Sequence, residues 1–127
     1  MAIESSILKA TKKNLGLDSS YTAFDLDVIT HINAAFFSLH QLGLGPSDGF
    51  EIEGDEDTWE EFLNSGPALN ATKTYIYLKV RSLFDPPGTP HHISAMKEQI
   101  EELEHRLLME RELTQWIAPQ SSSLSLP

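Results

Sequence analysis

The residues best suited to chemistry are crowded into one stretch, Asp48 to Glu61. It holds eight carboxylates, Asp48, Glu51, Glu53, Asp55, Glu56, Asp57, Glu60 and Glu61, and no Lys or Arg. Paired carboxylates can exchange protons in general acid–base catalysis, or bind calcium when their spacing wraps a cation. The spacing here fails the calcium-loop pattern, since the required glycine and terminal glutamate are misplaced. No apolar concave surround is indicated for Glu60 and Glu61, which acid–base work would need. The five histidines offer little more. His31 and His40 lie on an apolar stretch, His91 and His92 are adjacent and cannot easily share one ion, and His105 is distant. Without cysteine, thiolate metal sites and disulfides are excluded. No phosphate-binding loop, metalloprotease signature or nucleophile context is present, and GLGPSDG does not match a dinucleotide fingerprint. Asn70-Ala71-Thr72 matches a glycosylation sequon by chance. The expectation is a protein without catalytic residues, cofactor or metal.

The 127 residues suit one domain with a single modest core, burying about two thirds of the unfolded surface. Nineteen acidic against nine basic residues give a formal charge of −10, which argues against an extended phosphate-binding surface. MAIESSILKATKKNLG is too polar for a signal sequence, and no apolar run reaches the roughly 18 to 20 residues that cross a bilayer. A soluble chain that meets no membrane is expected.

Ser5 or Ser6 can cap a helix ending at Leu15, with Gly16 as its left-handed terminator. Leu8, Thr11 and Leu15 would face inward, leaving Lys9, Lys12 and Lys13 as a basic stripe outside. From about Thr22 to Leu42, Val28, Ile32, Ala35, Leu39 and Leu42 recur at helical spacing. Phe24, Ile29, Phe36 and Phe37 widen that apolar face, so this helix is expected to be central. GLGPSDG stops it. FEIEGDED reads as a strand fragment or extended loop. Asp57 or Thr58 followed by Glu60 or Glu61 makes a capping-box pattern for the brief helix TWEEFLN, which turns Trp59, Phe62 and Leu63 inward.

The stretch TYIYLKVRSLFDPPGTP carries two periods. Ile76, Leu78 and Val80 alternate as in a strand, whereas Leu69, Thr72, Ile76, Val80 and Leu83 recur as on a helix. Length decides. The unbroken run from Ala68 to Phe84, with Pro67 at a first helical position, exceeds ordinary strands and predicts a helix. Asp85-Pro86-Pro87 ends it. Thr89 and Pro90 then open a last helix from His91 to about Trp116, a rod of roughly 40 Å. The fold class is all-α: a small bundle of about four helices with a long C-terminal helix and an acidic loop between the second and third main helices. One domain is expected over residues 1–118 and a flexible tail over 119–127.

Ile93, Met96, Ile100, Leu103 and Leu107 form one seam of the last helix, suited to packing on the second and third main helices. Continuing it would place Glu110 and Thr114 inside. Apolar residues resume instead at Met109, Leu113, Trp116 and Ile117, nearly on the opposite side. Either the helix bends near Leu108 and folds Trp116 back, or this second face meets another chain. An apolar patch with an aromatic anchor favours a partner.

The segments SILKATKKNLGLDSSYTAFDLDVITHINAAFFSLHQLGLGP, TWEEFL and YIYLKVRSLFDPP, followed by MKEQIEELEHRL, resemble the head-tail connector, or head-completion adaptor, family of long-tailed double-stranded DNA phages. The resemblance covers about residues 5 to 108. It implies a helical subunit of the virion neck, made in the host cytoplasm and assembled as a homo-oligomeric ring, usually twelvefold, between the portal protein and a stopper or tail-completion protein. It also implies that the last helix and tail engage the portal, and that genome DNA passes through the ring without specific binding. On that footing Met109, Leu113, Trp116 and Ile117, with Leu124 and Leu126 in the tail, are the expected portal contacts. Glu51, Glu53, Asp55, Glu56 and Asp57 would line the channel or meet a neighbouring subunit, whose Lys9, Lys12 and Lys13 could pair with them. Two other roles remain open. A tail-side stopper or terminator would be richer in strands, and an acidic DNA mimic would spread its carboxylates over a whole surface.

Overall fold

The computed structural model describes residues 5–63 and 67–123, with side chains through Leu113. Five helices follow one another: α1 (Ile7–Asn14), α2 (Asp25–Gln41), α3 (Trp59–Phe62), α4 (Pro67–Phe84) and α5 (Pro90–Ser123). Among the described residues the one β feature is an isolated antiparallel bridge between Ser6 and Thr58. The fold class read from the sequence is therefore the observed one, with the brief helix counted as a fifth.

Local chemistry sets the boundaries. Ser6 caps α1 by accepting from the Lys9 amide at 3.2 Å. At the other end Gly16 takes φ +84°, and the amides of Leu17 and Gly16 close on the carbonyls of Lys12 and Lys13 at 2.8 and 3.0 Å. That is the paired-bond termination a left-handed glycine permits. α2 begins three residues later than expected, at Asp25, because residues 15–24 form a loop with its own bonding. The Glu61 carboxylate accepts from the Thr58 amide at 2.8 Å and starts α3.

α4 is the middle of the bundle, touching α1, α2 and α5, while α2 touches α1 and α4. This corrects the expectation that α2 is central. Its surplus apolar residues do not all point inward: Phe36 is fully buried, but its neighbour Phe37 and also Phe24 are exposed. Leu83 on α4 is exposed too, so the buried residues there are Leu69, Thr72, Tyr75, Ile76, Leu78 and Val80. α5 doubles back along α4 with Met96, Ile100 and Leu107 buried. Ile93 is not part of that seam. It is about half exposed and lines an open groove with Pro86, Pro87 and Met96, because the Pro-Pro turn holds the first turn of α5 away from α4.

The acidic segment is extended, and it is stitched down at three places. The Asn33 side chain on α2 donates to the Ile52 carbonyl at 3.0 Å and accepts from its amide at 2.7 Å, holding the buried Ile52 against the core. The Ile7 amide donates to the Asp57 carbonyl and the Trp59 amide to the Ser5 carbonyl, at 3.0 and 3.2 Å. Between these, Phe36 gathers the rings of Phe50, Phe62 and Trp59 at centroid distances of 4.9, 4.8 and 6.5 Å. Such edge-on and tilted packing adds to the burial of large apolar surface.

Candidate docking faces

On α5, Leu107 is the last residue held in the core, and the helix continues well beyond it. Met109 is 55% and Leu113 54% exposed, so both lie on the side turned away from α4. At this level a single described hydrogen bond ties α5 to the body: Arg111 Nε donates to the Gly43 carbonyl at 3.2 Å, just past the end of α2. Arg111 stands four residues after Leu107, on the inner side. The break in apolar periodicity thus marks where the bundle ends and the helix goes on. The helix carries the backbone of Trp116 and Ile117 and runs through Ser123. The side chains of Trp116 and Ile117, and Leu124 and Leu126 altogether, lie outside the described residues.

Deeper on the same helix, Glu104 faces α4. Its Oε2 accepts from the Tyr75 hydroxyl at 2.7 Å, with Lys79 Nζ 3.9 Å away. Burial, reinforced by the Glu104 carboxylate, pushes the Tyr75 hydroxyl well above the ordinary phenol range. The hydroxyl therefore stays protonated and serves as a fixed donor between α4 and α5.

In the acidic loop, Glu51, Glu53 and Glu56 are exposed. Asp57 is occupied within the loop: its Oδ2 accepts from the amides of Glu53 and Gly54 at 2.8 and 3.2 Å, closing a turn. Asp55 lies 4.0 Å from Lys9 Nζ of the same chain, an exposed pair that contributes little to stability. Lys9 and Lys13 are on the outside, as expected.

Lys12 is not. It is 2% exposed, a correction to the basic stripe drawn from the sequence. Its ammonium donates to the carbonyls of Ser19 and Tyr21 at 3.2 and 2.6 Å, and stands 2.8 Å from Asp25 Oδ1. Two carbonyl acceptors and an opposite charge in contact make burial of this cation tolerable. The loop LDSSY wraps over the lysine, so Lys12 holds the α1–α2 connection and does not face outward with Lys9 and Lys13. The sequence carried a trace of this. Asp25 lies in the first turn of α2, but Lys13 is as near to it in the chain as Lys12, so spacing alone does not choose between them.

Sequence reading also missed a row of rings, exposed at Tyr21 and Phe24 before α2 and partly buried at Phe84 on α4. Tyr21 and Phe24 are 5.6 Å apart, and Phe24 and Phe84 5.4 Å, all edge to face. Among the described residues no group of three or more His, Cys, Asp or Glu side chains could hold a metal ion, and His91 and His92 present their rings 5.7 Å apart at the surface. No described helix is long and apolar enough to cross a membrane.

In comparison with known proteins, no curated protein and no solved structure matches the chain. A family model described as phage connector protein matches residues 7–114, from the first residue of α1 to the last turns of α5. That span takes in the acidic loop, Met109, Leu113 and Arg111. With most of its length matched, the chain belongs to the phage connector protein family and has a structural role in the virion.

Proposed function

We propose that the protein is a head-to-tail adaptor, assembled as a ring between the portal and a stopper or tail component, with DNA passing through its centre. The observation that carries the portal side is the exposure of Met109 and Leu113 on a helix that outruns its own bundle. Large apolar side chains on a projecting helix suit insertion into a groove of another protein, where a few buried anchors supply most of the binding energy. Trp116, Ile117, Leu124 and Leu126 extend the same docking element. The protein accordingly resides in the virion neck, after assembly in the host cytoplasm.

The acidic loop belongs to the bore or to the neighbouring subunit. Exposed Glu51, Glu53 and Glu56 beside a duplex would repel its phosphates and let it slide.

The portal contact is tested by pull-down on recombinant portal assemblies with the double variant Met109→Glu/Leu113→Glu. Retention is expected to fall by about tenfold or more, as for loss of an interface anchor. Thermal stability should barely move, because exposed substitutions usually change it by about 0.5 kcal/mol or less. Retention equal to that of the unaltered chain would remove the portal assignment.

A further inference from the structure

The end of the bundle away from the distal part of α5 carries its own exposed surface. Tyr21 and Phe24 are 47% and 40% exposed, and with Phe84 they form a continuous ladder. His31 adds a fourth ring, 6.5 Å from Phe84. The ladder is set from beneath, since Lys12 binds the Tyr21 carbonyl and the carboxylate of Asp25, the residue after Phe24. Rings on such a fixed loop lose little freedom on binding.

The charge around the ladder is one-sided. No Lys or Arg occurs between Lys13 and Lys73. Asp25 is matched by Lys12, which leaves the exposed Asp18, whose carbonyl accepts from the Tyr21 amide at 3.0 Å, and the exposed Asp27, three residues after Phe24 in the first turn of α2. The Ser20 amide and hydroxyl, each 2.9 Å from Asp18 Oδ1, hold that carboxyl below its usual range and keep it ionised. On the α4 side the nearby cation is Arg81, which donates to the Tyr77 hydroxyl at 3.1 Å and shares a crevice with Asp85. Aromatic faces attract guanidinium groups, and flanking carboxylates complement them. A two-fold contact with a second copy is a poor occupant, because like carboxylates would then meet.

We infer that the Tyr21–Phe24–Phe84 ladder, with Asp18 and Asp27 at its edge, is a docking surface for a partner protein segment that presents arginine side chains. α2 spans roughly 25 Å between the ladder and the point where Arg111 meets Gly43. Both ends of the subunit can thus be occupied together, and the inference does not depend on what binds the distal helix.

The test uses the full chain, isotope-labelled for NMR, titrated at physiological salt with a short peptide alternating glycine and arginine, and with its lysine counterpart. Saturable shifts are expected at Tyr21, Phe24 and Phe84, with arginine binding about fivefold tighter than lysine because the planar guanidinium stacks. Phe24→Ala should weaken the arginine peptide by about tenfold, within the range of a partly desolvated cation–π contact. Tyr21→Ser and Asp27→Asn, at exposed positions, give the same reading should Phe24→Ala fail to fold. Shifts centred on the Glu51–Asp57 loop, equal affinity for the two peptides, or no saturable binding would each overturn the assignment. So would a change in sedimentation with Phe24→Ala in place of a change in peptide binding, since that would give the surface to a second copy.

Discussion

Replacing Lys12 by methionine is expected to lower the unfolding free energy by about 3 kcal/mol, the cost of taking a buried, hydrogen-bonded cation away from its partners. Methionine keeps most of the stem and its packing, so the loss reports the ammonium. Removing it leaves Asp25 without its cation, and the carbonyls of Ser19 and Tyr21 without their donor. For a chain of this size the melting temperature should fall by about 10 °C. Lys9→Met, at an exposed site with a 4.0 Å partner, should cost about 0.5 kcal/mol or less. Thermal unfolding of the two variants side by side makes the measurement. Equal melting temperatures would show that the α1–α2 connection stands without the lysine.

A second large effect is expected at Gly45. Its φ is +83°, and a Cβ built there runs into the buried Phe62 ring, 2.9 Å from both Cδ1 and Cζ. Left-handed backbone costs an L-residue about 1–2 kcal/mol. Overpacking a tight core adds about 1–3 kcal/mol. Gly45→Ala should therefore destabilise by roughly 3 kcal/mol. Phe62 cannot retreat easily, since it packs between Phe36 and Phe50. Gly16 separates the two contributions: it has the same sign of φ but nothing within 4 Å of the added atom. Gly16→Ala should lose only the backbone part, about 1 kcal/mol. Denaturant unfolding of both variants measures the difference; equal losses would mean that the Phe62 contact contributes nothing.

These two sites also mark where sequence reading stops. The helices were legible because their signals are local. Length and the absence of breakers made Ala68 to Phe84 a helix despite its alternating Ile76, Leu78 and Val80, and Asp85-Pro86-Pro87 ended it on schedule. Ser6, Gly16 and the Thr58–Glu61 pair did their capping as their residue types predict. What a side chain meets across the fold is not local. Lys12 has the same helical spacing whether it faces water or two loop carbonyls, and only the path of LDSSY decides. Phe36 and Phe37 are identical in type and adjacent, yet one gathers three aromatic rings and the other faces out. Ile93 fits the seam by spacing and leaves it because the Pro-Pro turn sets the entry angle of α5.

Of the candidate faces, the change of side along α5 was readable, since Met109 and Leu113 break a period that Leu107 obeys. The division of labour inside the acidic loop was not. Asp57 closes the turn through its side chain and Asp55 faces Lys9, while Glu51, Glu53 and Glu56 stay outward, and that sorting depends on where Asn33 and Ile7 pin the backbone. The aromatic ladder went unread because Phe84 joins Tyr21 and Phe24 only after α4 has returned to the start of α2.

The central claim is that α5 outruns its bundle in order to meet another protein. A reconstruction of the virion neck tests it most directly. The expected result is a ring of this subunit with Met109, Leu113, Trp116 and Ile117 against portal side chains and Glu51, Glu53 and Glu56 toward the bore or the next subunit. A neck in which those four residues pack on their own subunit, with the portal held by some other surface, would contradict it.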